Sequence, residues 1–179
     1  MRKTIHKLFW VWEFDKEEQW LNEMAAKGLC LISVGFCRYE FEDCIPGEYK
    51  FCLQMLEKNV KNAESEKYIA FIEETGAEHV GTFQKWVYFR RKADCGSFEL
   101  FSDNESRVKY LTRIIHFILW IGIFNLIVAA YNLILLPLMT QHVLSFSVIN
   151  LVLGIFALLG AWKLSKKRNN IKQDGQLFE

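Results

Sequence analysis

IIHFILWIGIFNLIVAAYNLILLPL (residues 114–138) and VLSFSVINLVLGIFALLGAW (residues 143–162) are the two stretches that decide the fold of this chain. Neither contains Asp, Glu, Lys or Arg, and each reaches the roughly 20 residues that an α-helix needs to cross a bilayer. Residues 139–142 alone separate them, so the two helices must turn back on each other. We therefore predict a two-helix transmembrane hairpin with a short extracytoplasmic loop, 139–142.

The orientation of this hairpin follows from its flanks. Lys and Arg residues lie at the outer ends of both apolar stretches, and the connector contains neither. The positive-inside rule therefore places both chain ends in the cytoplasm and predicts a multi-pass protein of the cell (plasma) membrane. A buried pair of helices in a soluble protein is the alternative, but such long uncharged stretches with basic flanks are uncommon there. The predicted membrane-interface anchors are Arg107, Lys109, Arg113, Trp162, Lys163, Lys166, Lys167 and Arg168.

The rest of the chain divides around the hairpin. Its length leaves room for one domain of about 100 residues, which we assign to residues 1–101 and place in the cytosol. Residues 102–113 are predicted to form a juxtamembrane helix or linker, and residues 163–179 a basic cytoplasmic tail. Residues 1–101 contain 14 Lys and Arg against 17 Asp and Glu. Because an acidic domain binds phosphate backbones poorly, we expect no nucleic-acid partner.

The cysteines all fall in the part of the chain that we place in the cytosol. Thiols stay reduced in that compartment, so free cysteines are expected. The sequence contains no CxxC, and cysteine commonly serves as a small core residue, which leaves redox sensing as the weaker alternative. The five cysteines are Cys30, Cys37, Cys44, Cys52 and Cys95.

Two hydrophobic periodicities alternate in the predicted cytosolic domain. Apolar residues alternate with other residues in 7–14, which is typical of a strand, whereas helical spacing follows in 15–27. Over the whole domain the patterns predict strands at 7–14, 29–41, 48–56 and 80–90 and helices at 15–27 and 63–75, with 80–90 forming either one bent strand or two short ones.

This order of elements predicts an α+β domain with the ferredoxin-like split βαβ (βαββαβ) fold. In that fold two helices cover one face of an antiparallel sheet. The other face is then left to water, to a partner or to a second copy of the chain, so a homo-oligomer is one expected state. The residues expected on that face are Lys7, Phe9, Val11, Cys52 and Gln54.

Two sequence patterns predict where helices begin. Asp15 is followed three residues later by Glu18, and Ser102 is followed in the same way by Glu105. This is the spacing of a capping box. The second of these helices is predicted to continue through Arg113 into the bilayer, which would link the domain rigidly to the membrane.

The search for catalytic motifs is negative. The histidines have no second His or Cys at metal-ligand spacing, so we expect no metal site. The glycines form neither a Walker loop nor a dinucleotide fingerprint, so we expect no cofactor. An enzyme acting on a lipid or a nucleotide is the least favoured option, and we predict that the chain is not an enzyme. The histidines are His6, His79, His116 and His142.

Four segments of the chain resemble a known family: LNEMAAKGLCLISVGFCRYEFE, EYKFCLQMLEKN, HVGTFQKWVYFRRK and ELFSDNESRVKYLTR. They are similar to blocks of bacterial proteins grouped as domain of unknown function 2812, over about residues 7–113. The resemblance implies a bacterial inner-membrane protein with no established activity, encoded beside PadR-type transcriptional regulators. Relatives tend to have a Gly-rich turn before the final aromatic strand. This chain has Gln84 and Lys85 there, so a tight hairpin is not expected.

Small and amide side chains recur at spacings of three and four in both apolar stretches. Small residues let helix backbones approach, and amides in lipid seek partners. The two rows should face each other, with Asn132 and Asn150 at similar depth and a contact between them worth on the order of 0.6–2 kcal/mol. Amides that mediate oligomers or line a polar cavity are the alternative. The predicted helix-packing residues are Gly122, Asn125, Ala129, Asn132, Asn150, Gly154, Ala157 and Ala161.

Two functional classes fit these observations. The first is a membrane-anchored, non-catalytic regulatory or sensor module whose cytosolic domain binds a protein partner. The family resemblance suggests a PadR-type transcriptional regulator as that partner. The second is an accessory or structural subunit of a membrane transporter, in which the row of small residues docks on a larger membrane protein.

Overall fold

The structure is a computed structural model that describes residues 2–96, 98, 100, 101, 103–135 and 142–176. It falls into two compact units, the α+β unit Met1–Leu100 and the helical unit Phe101–Glu179. The prediction of an α+β domain followed by two long apolar helices is confirmed. In chain order the elements are β1 (Arg2–His6), α1 (Phe14–Ala26), β2 (Leu29–Gly35), β3 (Arg38–Asp43), β4 (Tyr49–Met55), α2 (Ala63–Glu74), β5 (Glu78–Phe83), β6 (Trp86–Lys92), α3 (Asn104–Leu135) and α4 (His142–Gln176).

The strands of the α+β unit form two antiparallel sheets of three. The strand order is β1-β3-β2 in the first sheet and β4-β6-β5 in the second, so β3 and β6 are the middle strands. β2 and β5 approach each other closely. A Cβ atom added to Gly81 in β5 would lie 3.3 Å from Cγ1 of Val34 in β2.

The two halves of this unit repeat the same order of strand, helix, strand, strand. Each helix is followed by a glycine with positive φ, Gly28 at 80° and Gly76 at 86°, a common way to end a helix. Each following strand has an irregularity in its pairing with the middle strand, at Ile32 in β2 and at Val80 in β5. In both halves the irregularity lies the same number of residues after the glycine that ends the helix. The α+β unit is therefore an internal structural duplication.

Each helix of the duplication packs on its own sheet. The ring of Trp20 in α1 meets that of Phe41 in β3 edge to face, with centroids 5.6 Å apart. In the second copy, α2 packs Ile69 and Ile72 into a cluster with Val87 and Phe89 of β6. Burial of such side chains contributes about 1.5–3 kcal/mol each and forms the core of each half.

α1 also covers the free edge of β4. The side-chain amide of Asn22 donates to the carbonyl of Phe51 and accepts from its N–H, both at 2.9 Å. Oε2 of Glu18 accepts from the N–H of Leu53 at 2.8 Å. These bonds satisfy backbone groups that an open sheet edge would leave unpaired. One helix of the first copy is therefore fixed against a strand of the second.

The predicted strand at 7–14 is wrong. The first strand is β1, which pairs with β3, for example Ile5 with Tyr39. The apolar alternation that suggested a strand reflects ring packing in a loop, where Trp10 and Trp12 stack with centroids 5.4 Å apart. Asp15 is not the helix cap, because α1 begins one residue earlier, at Phe14.

The predicted strand at 29–41 is two strands, and 80–90 also forms two. The first pair turns at Phe36 and Cys37, the second at Gln84 and Lys85. Cys37 and Gln84 take φ values of 52° and 54°, so tight hairpins form without glycine, contrary to our expectation. The βαββαβ order is replaced by two copies of strand, helix, strand, strand in two sheets.

The sheet face that we expected to be free is covered in the second sheet. Cys52 and Gln54 are buried, because α2 packs on that side of β4 and the Tyr68 hydroxyl donates to Oε1 of Gln54. Lys7 and Phe9 precede α1 in a loop and do not belong to a strand, and Val11 starts a single 3-10 turn. Most of β4 is therefore buried on both faces.

The expectation that all cysteines are free is also wrong. Cys30 and Cys44 form a disulfide, with Cα atoms 5.9 Å apart. The register of β2 and β3 brings them together, since the N–H of Cys44 donates to the carbonyl of Gly28 at 2.9 Å. The described cysteines outside this disulfide are half-buried Cys37, buried Cys52 and exposed Cys95.

The helical unit consists mainly of α3 and α4. The stretch that we predicted as a juxtamembrane helix or linker is part of α3, which runs without a break from Asn104. Ser102, the predicted cap, lies outside the described residues. Among the described residues Asp103 caps α3, since its Oδ1 accepts from the N–H of Ser106 at 2.6 Å. That bond lowers the pKa of the Asp103 carboxyl. The described part of the predicted tail, 163–176, continues α4.

Both helices are long and apolar enough to cross a membrane. The spans that meet this criterion are Asn104–Ile134 and Ser145–Gln173. Only 28% of the apolar window of each is buried, whereas a core helix of a soluble protein is mostly buried. Residues 139–141 of the predicted loop lie outside the described residues.

Candidate ligand site around Glu17

Glu17 is a carboxylate on the apolar face of α1. It lies one turn after Phe14 and one turn before Leu21, both buried, and its own exposed fraction is only 8%. A buried charge is costly unless hydrogen bonds or an opposite charge compensate it. The position of Glu17 therefore calls for partners on the sheets that α1 covers.

Two tyrosines supply those partners. The hydroxyl of Tyr39, on the middle strand β3, donates to Oε1 of Glu17 at 2.7 Å. The hydroxyl of Tyr88, on the middle strand β6, donates to the same oxygen at 2.6 Å. Both tyrosines are buried. The two copies of the duplication thus meet at one carboxylate, which belongs to the helix of the first copy.

The environment changes the ionisation of all three groups. Burial raises the pKa of Glu17, and the hydrogen bonds from Tyr88 and Tyr39 lower it by less. Burial and the neighbouring Glu17 carboxylate raise the pKa values of Tyr39 and Tyr88. The tyrosines therefore remain protonated donors.

The site has room for a ligand. A cavity of about 90 Å³ is lined by Glu17, both tyrosines and the turns that connect β2 to β3 and β5 to β6. Most of its other lining side chains are apolar, and the cation among them is Lys7. Within the described residues, Glu17 has no Lys or Arg nitrogen within 4.0 Å. The aromatic residues that line the cavity are Phe9, Trp10, Phe14, Phe36, Tyr39, Phe83, Trp86 and Tyr88.

Sequence reasoning missed this site, although one signal was present. Helical spacing of apolar residues was visible in 15–27, and Glu17 lies on the face of the buried Leu21, one turn before it. A carboxylate on a buried helix face is uncommon unless it is paired. Tyr39 and Tyr88 gave no such signal, because their meeting depends on the packing of the two halves.

The predicted helix-packing residues lie partly at the contact between α3 and α4. A Cβ atom added to Gly122 would lie 3.1 Å from Cβ of Ala157, and one added to Gly154 would lie 2.7 Å from Leu126. Ala129 and Ala161 are buried. The small residues therefore let the two antiparallel helices approach.

The amides of this row bond within their own helices. Asn125 donates to the carbonyl of Ile121 and Asn150 to that of Phe146, both at 2.8 Å. Asn132 is half-buried. The contact between Asn132 and Asn150 stays a prediction.

The predicted interface anchors vary in exposure. Lys109 pairs with Glu105 at 2.7 Å, and the Arg113 guanidinium lies 5.5 Å from the ring centroid of Tyr110. Trp162 is 67% exposed. Arg107, Lys109, Lys163 and Lys166 are exposed, and Arg113, Lys167 and Arg168 are half-buried.

Comparison with known proteins gives one family. A family model described as "Protein of unknown function (DUF2812)" matches residues 13–123, which is more than half of the chain. The match confirms the family resemblance seen in the sequence. No curated protein and no solved structure matches the chain. The description of the family assigns no activity, so a function has to be argued from the site.

Proposed function

Because this chain belongs to the DUF2812 family of proteins of unknown function, we propose its role from its geometry: it is a membrane-anchored, non-catalytic sensor module. Its α+β unit binds a small molecule at Glu17 and passes this event to a protein partner. A PadR-type transcriptional regulator is the candidate that the family resemblance suggests. The helices α3 and α4 anchor the protein in the plasma membrane, with both chain ends in the cytoplasm.

The observation that carries this proposal is the buried Glu17 with its two tyrosine donors beside an aromatic-lined cavity. With an apolar side chain at this position the protein would fold with a smaller free-energy cost, since burial of a carboxylate is unfavourable. An ionisable group with a shifted pKa in a pocket is a common mark of a functional site. The site connects both copies of the duplication, so occupation of the cavity would affect the packing of the whole unit.

The membrane anchor is supported by the composition and exposure of α3 and α4. Large apolar side chains such as Trp120 (74% exposed), Phe124 (66%) and Ile134 (74%) lie uncovered in the single chain. Contiguous apolar surface of this kind marks contact with lipid or with another protein. Basic residues at the outer ends of both helices favour the cytoplasmic placement of the chain ends.

An accessory role in a transporter stays the alternative proposal. It relied on the small residues as a docking surface for a larger membrane protein. Those residues serve the contact between α3 and α4, as the approach of Gly122 to Ala157 illustrates. The alternative therefore depends on the exposed apolar residues of the helices instead.

Crosslinking in intact cells followed by identification of the partner tests the proposed function. Wild type is compared with Glu17→Gln, which removes the charge of the site, and with Glu23→Gln, a matched change on the same helix whose side chain is exposed. We expect a transcriptional regulator to be recovered with wild type and Glu23→Gln and in altered yield with Glu17→Gln. Equal recovery from all three, or recovery of permease subunits instead, would contradict the sensor proposal.

A further inference from the structure

We propose that the ligand of the Glu17 cavity is a small organic cation, a methylated ammonium group of the size of tetramethylammonium. This inference rests on the proposed sensor function and names the class of its ligand. It is argued from the charge, the lining and the size of the cavity.

The charge of the cavity favours a cation. Both tyrosine hydroxyls donate to Oε1 of Glu17, and the described residues provide no hydrogen-bond donor to Oε2. An ionised carboxylate in such surroundings attracts positive charge strongly, because little water screens it. Anions are repelled by the same group. The lining cation, Lys7, lies over the rings of Phe9 and Trp20 and not on the carboxylate. A ligand that brings a positive charge to Glu17 therefore supplies a counter-ion in direct contact with it.

The lining of the cavity favours a cation with an apolar surface. Aromatic ring faces attract positive charge, and cages of aromatic residues recognise quaternary ammonium groups. One lining ring, that of Phe9, already carries such an interaction within the protein. The ammonium of Lys7 lies 4.7 Å from the ring centroid of Phe9 and 4.5 Å from that of Trp20, which lies outside the cavity. The position of Lys7 shows that the Phe9 ring accepts a cation above its face.

The size of the cavity limits the ligand. Its volume is about 90 Å³. One water molecule takes up about 30 Å³ of liquid, and an engineered cavity of about 150 Å³ binds benzene. Tetramethylammonium is close to benzene in size, so it fills this cavity and part of its open mouth, whereas a large amphipathic cation would need the rim to move. The rim includes Phe36, which is 76% exposed and contacts the ring of Phe83.

Titration of the full-length protein in detergent with tetramethylammonium chloride tests the inference. Trp10 and Trp86 line the cavity, so intrinsic fluorescence reports on occupation. tert-Butanol is the neutral probe of similar size, and sodium chloride at equal concentration controls for ionic strength. We expect saturable binding of tetramethylammonium to wild type and to Glu23→Gln, and no saturable binding of tert-butanol. Glu17→Gln should weaken tetramethylammonium binding by at least about tenfold.

A second variant provides an independent test in case Glu17→Gln does not fold. Phe36→Ala removes an exposed ring at the rim, so it should fold normally and weaken binding by about two- to tenfold. Equal affinity of wild type and Glu17→Gln for tetramethylammonium would overturn the inference, as would saturable binding of tert-butanol with an affinity equal to that of the cation. These results concern the ligand class alone. Failure of the sensor function would appear instead as partner recovery that does not depend on Glu17.

Discussion

Tyr39 and Tyr88 stand on the middle strands of two different sheets, and both donate their hydroxyl hydrogens to the same oxygen atom of Glu17. Neither strand pairs with the other, so this carboxylate is a polar connection between the two sheets. The contact is buried and therefore sensitive to small changes in the packing of α1. The first two predictions concern this contact.

Removal of both hydroxyls should lower the free energy of unfolding by more than the sum of the two single changes. Tyr39→Phe and Tyr88→Phe should each lower the free energy of unfolding by about 1.5–3 kcal/mol, the usual range for a hydrogen bond to a charged group. The double variant leaves the carboxylate without a donor, so its loss should exceed the sum by about 0.5–3 kcal/mol. Urea unfolding measures these values. Tyr49→Phe, at a half-buried ring on β4, is the control and should change stability by less than about 0.5 kcal/mol.

The stability of the protein should depend on pH through Glu17. Burial raises the pKa of this carboxyl in the folded state. Such a group contributes stability that is present below its unfolded pKa and is lost as the pH rises through its folded pKa. The free energy of unfolding of wild type should therefore fall relative to that of Glu17→Gln as the pH rises above the ordinary glutamate pKa of 4.5. The titratable or charged groups that line the same cavity are Lys7, Cys37, Tyr39 and Tyr88, and both proteins retain them.

The pH experiment has a clear opposite outcome. Parallel stability curves for wild type and Glu17→Gln would mean that Glu17 has the same pKa in the folded and unfolded chains. Glu23→Gln serves as the control and should follow wild type over the whole range, because its side chain is exposed.

The disulfide should be detectable by differential alkylation. In oxidised, denatured protein we expect Cys30 and Cys44 to react with a thiol reagent only after reduction, whereas the other three cysteines react without it. For a loop of this length the bond should contribute about 3 kcal/mol to the free energy of unfolding.

The same labelling in intact cells tests the placement of this unit. Fully reduced Cys30 and Cys44 are expected in the cytosol, and complete oxidation in cells would favour the opposite side of the membrane.

Close packing of α3 and α4 should depend on Gly154. A methyl group there would lie 2.7 Å from Leu126 and 3.2 Å from the carbonyl of Gly122, so the helices would have to separate. Gly154→Ala should lower the thermal stability of the detergent-solubilised protein by an amount equivalent to about 1–3 kcal/mol. Val152→Ala changes an exposed position on the same helix and should have little effect. A Gly154→Ala protein as stable as wild type would exclude this glycine from the contact.

Much of the architecture followed from hydrophobic pattern. The apolar helices have a strong signal because uncharged stretches of that length have few other uses. The helical spacing in 15–27 also predicted α1, on which Leu21, Met24 and Ala25 are buried. These features depend on residues that are close in the sequence, so one sequence without relatives is enough to reveal them.

The errors have physical causes of a different kind. The two hairpins turn at Cys37 and Gln84, which adopt a backbone conformation usually taken by glycine, so the turns lacked their ordinary marker. The disulfide depends on strand register, which the spacing of Cys30 and Cys44 does not reveal. The duplication was hidden because the two copies share geometry at Gly28 and Gly76 but little sequence.

The duplication has a further consequence for the origin of the ligand site. On α1 a buried Glu17 precedes Leu21 and Met24, whereas on α2 a buried Ser65 occupies the equivalent place before Ile69 and Ile72. The two halves thus carry different polar residues at one equivalent helical position. Since the second tyrosine comes from the other repeat, neither half could hold the anionic pocket alone, and a chain severed between β3 and β4 would keep it only if the fragments reassembled.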